Sequence, residues 1–134
     1  MAGYSNTPLQ KKLGIKPGFK ILISGEPEEY WDWISPLPND IRVVKSAKSG
    51  LDFIHIFTSV NQAFEKEFLH VKPYLKNNGM IWISWPKKSS NVPTDLNENG
   101  IRAFGLALGM VDVKVCAVSE IWSGLKFVYR VKDR

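Results

Sequence analysis

The chain has 134 residues, of which 44% are hydrophobic and 23% are charged. This composition is typical of one globular domain and not of a disordered tail. The net charge is +5, but 13 acidic residues are interspersed among 18 basic ones, so there is no polybasic arm. The single cysteine excludes an intramolecular disulfide framework. Neither a signal peptide nor an apolar run of membrane length is evident, so we expect a single cytoplasmic domain with no membrane contact, spanning residues 1–134.

The N-terminal third predicts a lead-in helix, a strand and a second helix. A Thr-Pro pair at 7–8 starts a short helix within a lead-in segment, 1–18. The apolar run at 19–24 predicts a buried strand, and 25–34 predicts a helix with a proline in its first turn. The order strand, tight turn, helix is typical of α/β proteins.

The middle of the chain predicts three strands and one helix. Residues 41–46 and 51–57 read as strands, the second apolar on both faces. A helical period runs from 60 to 74, Asn77-Asn78-Gly79 supplies a left-handed stop, and a strand follows at 80–85. A parallel link between the first two strands would be tight because only residues 45–52 are available. Antiparallel pairing of these two strands stays open.

The C-terminal third predicts a helix and a hairpin. Residues 95–108 read as a helix that Thr94 or Asp95 would cap, with Glu98 at capping-box spacing. Residues 111–118 and 125–132 read as strands joined by a turn short enough for antiparallel pairing. The fold class predicted for the chain is therefore a Rossmann-like, mostly parallel α/β sheet with helices on both faces and a C-terminal antiparallel hairpin.

Several motifs resemble known families. The segment LGIKPGFKILISG resembles the lead-in and first strand of class I S-adenosylmethionine-dependent methyltransferases. The segments GYSNTPLQKKLGIKPG, WPKKSSNVPTDL and VDVKVCAVSEIWSGLKFV resemble a bacterial family known only as a domain of unknown function. The resemblance implies a methyltransferase-like fold that lacks the usual third strand and its helix. It implies no particular activity.

The resemblance also indicates where the cofactor turn should be. Gly25 matches the first glycine of the methyltransferase motif, but Pro27 and Glu29 stand at the other two glycine positions. In the methyltransferases an acidic residue after the second strand holds the cofactor ribose, and this chain has Lys45 or Ser46 at that position. These departures disfavour S-adenosylmethionine as a cofactor.

The catalytic motif of many amino-methylating relatives is also missing. After the strand at 51–57, where that motif has an acid or amide before two prolines, this chain has Thr58 and Ser59. We therefore expect a methyltransferase-like module without catalysis, and the alternative is a divergent methyltransferase. A nucleic-acid-binding module is the second alternative.

The fold selects a set of candidate binding residues, because ligands of open α/β sheets bind beyond the carboxyl ends of the strands. We call this set the strand-end rim; it comprises Gly25, Glu26, Lys45, Lys48, Thr58, Ser59, Trp85, Lys87, Lys88, Glu120, Trp122, Ser123 and Gly124. Tryptophan faces with lysine cations would suit an anionic small molecule or an acidic partner, with Trp85, Lys87, Lys88 and Trp122 at the centre. In the simpler interpretation the tryptophans cap the core and the lysines are solvated.

The remaining candidates predict no further site. His55 lies in a buried strand, which is typical of a core histidine with satisfied ring nitrogens. With His70 and Cys116 it forms no metal-ligand spacing, so no metal is expected.

Overall fold

The computed structural model describes residues 7–134 and contains one six-stranded sheet in the order β2-β1-β3-β4-β6-β5. The strands are β1 Lys20–Ser24, β2 Arg42–Val44, β3 Leu51–Phe57, β4 Leu75–Pro86, β5 Met110–Ala117 and β6 Trp122–Tyr129. The first four pair in parallel, while β6 is antiparallel to both β4 and β5. The predicted mostly parallel sheet with a terminal antiparallel hairpin is confirmed.

The order of the first three strands settles how the short link is used. β2 and β3 each pair in parallel with β1, on opposite sides, so they never pair with each other. The antiparallel alternative for these two strands is wrong. The link at 45–50 reaches at most roughly 22 Å when extended, which suffices because it must descend only the three residues of β2.

In the described part of the chain, four α-helices cover the two faces of the sheet: α1 Leu9–Leu13, α2 Tyr30–Trp33, α3 Asn61–Val71 and α4 Glu98–Ala107. One core cluster joins α1 and α2 to the face that carries Trp82. The other joins α3 and α4 to the face that carries Ile81 and Ile83. The alternation along β4 therefore assigns each helix pair to its own face.

The predicted end of α3 is wrong. The helix gives way at Val71 to a short 3-10 turn, Lys72–Tyr74, and β4 begins at Leu75. Asn77-Asn78-Gly79, predicted to stop the helix, lies inside β4 as an irregularity in its pairing with β3. A Cβ on Gly79 would lie 2.6 Å from the Leu75 side chain, so glycine lets the strand fold back closely on itself here.

The predicted start of α4 is also wrong. The N-cap is Asn97, whose side-chain oxygen accepts a hydrogen bond of 2.8 Å from the amide of Gly100. Glu98 forms an ion pair with Arg102 one turn later and does not complete a capping box. Thr94 and Asp95 are therefore outside the helix and available for other contacts.

Candidate functional site

The carboxyl ends of β1 to β4 meet at one edge of the sheet because these strands are parallel. The turn between β5 and β6, residues 118–121, lies at the same edge, since β6 is antiparallel to β4 and begins beside the end of β4. The predicted strand-end rim is therefore assembled from the loops that the sequence indicated. Of the rim residues, however, Lys45 lines one cleft, Glu120 and Trp122 line another, and the two tryptophans lie on different faces of the sheet.

Two clefts open at this edge. The smaller, which we call the β1–β2 cleft, has a volume of about 240 Å³. The larger, which we call the hairpin cleft, has a volume of about 580 Å³, within the size range of small-molecule sites. Residues of the β1–β2 cleft include Ser24, Lys45, Ser46, Glu67, His70 and Val71. Residues of the hairpin cleft include Lys12, Pro27, Glu29, Trp33, Glu120 and Trp122.

The β1–β2 cleft contains a carboxylate that the sequence analysis missed. Glu67 on α3 accepts a hydrogen bond from the hydroxyl of Ser24, the last residue of β1. Sequence spacing contains the signal, because Glu67 lies three residues after Phe64 and four before Val71, both buried, on the face of α3 directed at the sheet. An acidic acceptor thus lines the same cleft as Lys45, where the sequence had indicated only a cation.

The turn after β1 lies between the clefts. Gly25 has a φ of +71°, and a Cβ there would lie 2.4 Å from the carbonyl oxygen of Phe57 at the end of β3. Glycine is therefore needed for the backbone of the turn to touch the neighbouring strand. Glu26 accepts a hydrogen bond of 3.2 Å from the indole of Trp31, which turns its carboxylate towards α2. Pro27 continues into the hairpin cleft.

The two rim tryptophans lie on opposite faces of the sheet. In the β4–β6 pairing Trp85 is opposite Ser123, whereas Trp122 is opposite Pro86, one position along. The side chain of Trp85 is 6% exposed and packs in the α3/α4 core, as expected of an aromatic that caps the core. Trp122 contacts the Phe57 ring edge-on at 5.1 Å and lines the hairpin cleft.

The lysines after β4 lie on a turn that hydrogen bonds fix to the β5–β6 turn and to the Ser90 side chain. The amide of Lys87 donates to the Ile121 carbonyl, and the hydroxyl of Ser90 donates to the Lys87 carbonyl. The side chain of Lys88 is exposed, as is that of Lys48 in the link after β2. Ligand binding by these lysines stays a prediction.

The loops after β3 and β4 are joined by two hydrogen bonds. The Thr94 hydroxyl donates to the Ser59 carbonyl at 2.6 Å. The amide of Asn61, the first residue of α3, donates to the Asp95 carboxylate at 2.6 Å. Asp95 therefore caps α3, a different helix from the one that the sequence predicted.

His55 is a buried core histidine, as predicted. Its Nδ1 lies 3.0 Å from the hydroxyl of Tyr30 and its Nε2 lies 2.7 Å from the hydroxyl of Ser84. Burial lowers the pKa of His55 to about 3, so the imidazole is neutral at physiological pH. Burial, and secondarily the charge of Glu26, raises the pKa of Tyr30. This chain of three groups is closed off from both clefts by packing and is a structural element.

Within residues 7–134 no group of three His, Cys, Asp or Glu side chains is placed to hold a metal ion. Across the same residues, no helix has the length and apolar character needed to cross a membrane.

Comparisons with known proteins identify the fold. Neither a protein-family model nor a curated protein matches the chain. Among solved structures, a SAM-dependent methyltransferase from Aquifex aeolicus superposes with a TM-score of 0.58 at 14% identity, over 87% of this chain and 85% of that one. Fibrillarin from Aeropyrum pernix with natively bound S-adenosyl-L-methionine gives 0.60 at 12% identity, over 94% and 70%. A DhpI complex with SAH gives 0.60 at 12% identity, over 92% and 83%.

The chain therefore has a class I methyltransferase-like fold, as its motifs implied. At these identities the likeness concerns the fold alone. The narrower resemblance to a family of unknown function stays a prediction.

Proposed function

We propose that this domain is a divergent S-adenosylmethionine-dependent methyltransferase that binds the nucleoside part of the cofactor in the β1–β2 cleft. The observation that carries the proposal is the hydrogen bond between Ser24, at the carboxyl end of β1, and Glu67, on α3, in the β1–β2 cleft. A carboxylate in this place can accept hydrogen bonds from the two hydroxyls of a ribose. The likeness to structures that contain S-adenosylmethionine and SAH supports the same choice over a module without catalysis.

The turn after β1 fits the cofactor less well than the cleft does. Pro27 has no amide hydrogen to donate, and Glu29 adds a negative charge where a cofactor carboxylate would lie. Glu26 is less of an obstacle, because its hydrogen bond to Trp31 draws its carboxylate towards α2. We therefore expect weaker affinity than that of an enzyme with three glycines in this turn.

Bound S-adenosylmethionine would supply an electrophilic methyl group. The chain's own contribution lies in the hairpin cleft, which adjoins the same turn through Pro27 and Glu29. Its carboxylates, Glu29 and Glu120, are available to take a proton from an amine that is being methylated. Trp33 and Trp122 give the cleft apolar walls that would orient a flat acceptor.

Isothermal titration calorimetry with S-adenosylmethionine and SAH tests the proposal. The variant Glu67→Gln should weaken binding about 10-fold or more, since a hydrogen bond to a charged group contributes roughly 1.5–3 kcal/mol. The matched control is Glu65→Gln, two residues earlier on α3, where the carboxylate accepts a hydrogen bond from Asn61 at the helix start. Ser24→Ala keeps the carboxylate and should bind nearly as well as the parent.

Absence of binding at millimolar ligand, or equal binding by Glu67→Gln and Glu65→Gln, would contradict the proposal. A non-catalytic module is the second candidate, favoured by Thr58 and Ser59 in place of a catalytic motif. Binding of S-adenosylmethionine without conversion to SAH, in the presence of candidate acceptors, would favour that second candidate.

A further inference from the structure

Four lysines converge on the face of the sheet that α1 covers. In the β5–β6 pairing Lys114 lies directly opposite Lys126. The ammonium group of Lys114 donates to the Lys12 carbonyl on α1 at 3.1 Å. The ammonium group of Lys126 lies 3.6 Å from the place where a Cβ on Gly14, just past α1, would be. Together with Lys16, these residues form what we call the α1 lysine cluster: Lys12, Lys16, Lys114 and Lys126.

Among residues 7–134, no carboxylate forms an ion pair with a lysine of the cluster. The ion pairs of residues 7–134 are Lys76–Asp52, Arg102–Glu98 and Arg102–Asp112, and none involves the cluster. Like charges opposite each other on neighbouring strands are destabilising. Burial, and then the charges of Lys114 and Lys16, lowers the pKa of Lys126. A bound anion would relieve this repulsion.

The cluster is continuous with the hairpin cleft. Lys12 belongs to the cluster and also lines that cleft, where Trp33 and Trp122 provide aromatic surface. Trp122 and Lys126 are four residues apart on the same strand, a separation of roughly 13 Å. Aromatic surface and cations therefore follow one another along a path longer than a single nucleotide.

We propose that the hairpin cleft and the α1 lysine cluster together bind single-stranded nucleic acid, with one base in the cleft and the backbone phosphates on the lysines. A cationic track beside aromatic side chains is how proteins hold single strands. In the proposed methyltransferase the bound nucleic acid would be the methyl acceptor. Only this role as acceptor rests on the proposed function; the binding itself does not.

The acidic residues of the cleft indicate which base is preferred. Glu29 and Glu120 would repel phosphates, which keeps the backbone on the lysine side. Their carboxylates can accept hydrogen bonds from an exocyclic amine such as that of cytosine. Uracil has no exocyclic amine and offers one N–H donor, against two on the cytosine amine, so two carboxylates favour cytosine over uracil.

Fluorescence anisotropy with labelled 12-nucleotide oligocytidine and oligouridine, as RNA and as DNA, tests the inference without any cofactor. With four phosphate contacts, affinity should fall about 50-fold between 50 and 200 mM salt. The double variant Lys114→Gln with Lys126→Gln keeps two phosphate contacts, so its affinity should fall only about 7-fold over the same salt range. Its affinity at 50 mM salt should be weaker than that of the parent. This variant removes a repulsive pair, so the fold should persist.

The matched control changes the net charge equally, by Lys66→Gln on α3, at the other face of the sheet, with Lys132→Gln in the short turn after β6, both exposed. It should bind within about twofold of the parent and keep the parent's salt dependence. Equal losses in the two double variants, preference for oligouridine, or no binding by the parent would overturn the inference. Because calorimetry measures cofactor binding separately, failure with the oligonucleotides would leave the proposed function standing, and the reverse outcome would leave this inference standing.

Discussion

Replacing His55 by glutamine should remove most of the pH dependence of stability between pH 7.5 and 5. In the folded protein the imidazole stays neutral because its pKa is lowered to about 3, whereas the unfolded chain binds a proton near 6.5. The unfolded state therefore takes up more protons as the pH falls. Stability contributed by this histidine is complete above pH 6.5 and is lost progressively down to pH 3.

The magnitude follows from the two pKa values. One pKa unit corresponds to 1.36 kcal/mol, so the whole loss would approach about 5 kcal/mol, of which about 2 kcal/mol is incurred by pH 5. The Arg102 guanidinium lowers the pKa of Asp112 from its ordinary value near 3.8. Titration of Asp112 therefore changes stability only below about pH 3.8 and does not contribute between pH 7.5 and 5. His55 is therefore the dominant buried group that titrates here.

Urea unfolding followed by tryptophan fluorescence measures the effect at pH 7.5, 6.5, 5.5 and 5.0. The free energy of unfolding of the parent should fall by about 2 kcal/mol over this range. His55→Gln should be less stable than the parent at pH 7.5, but its free energy of unfolding should change little with pH. A parent that loses less than about 0.5 kcal/mol would refute the reasoning, as would a variant with the parent's slope. If the variant does not fold, NMR titration of the parent's imidazole still decides whether its pKa lies far below 6.5.

Three further substitutions test close contacts and a cap. Gly105→Ala should lower the free energy of unfolding by about 3 kcal/mol in urea titrations, because its Cβ would lie 2.2 Å from the Phe127 ring; a loss below 1 kcal/mol would contradict the packing. Gly25→Ala should destabilise the fold more than Gly109→Ala, because Gly109 has a similar positive φ but no atom within 4 Å of its Cβ position. Calorimetry should show weakened cofactor binding for Gly25→Ala alone. Asn97→Ala should cost about 1 kcal/mol in thermal unfolding through loss of the α4 cap, whereas an unchanged melting temperature would remove that role.

Local patterns in the sequence determined most of the fold. The apolar runs at 19–24 and 51–57 are strands because their side chains are buried on both faces. The short turn before Trp122 forces the two last strands into a hairpin. Boundaries were less predictable. Pro73 and the asparagines at 77 and 78 are competing signals for the end of α3, and the pairing of Leu75 with Leu51 decides between them.

The site was less predictable than the fold because it depends on register. Neighbouring strands slip in steps of one residue, and each step moves a side chain to the other face. The sequence therefore predicts that Trp85 and Trp122 lie at one edge of the sheet. That they lie on opposite faces follows only from the pairing of β4 with β6. The opposition of Lys114 and Lys126 likewise depends on an irregularity in the β5–β6 pairing, between Asp112 and Lys114.

The hydrogen bonds from Thr94 and to Asp95 make two separate loops mechanically dependent on each other. Neither the loop after β3 nor the loop after β4 can open alone without exposing the Ser59 carbonyl or the Asn61 amide. In hydrogen exchange the two loops should therefore behave as one cooperative unit, with a shared opening free energy, although 34 residues separate Asn61 from Asp95 in the chain. A ligand that orders either loop would then slow exchange in both.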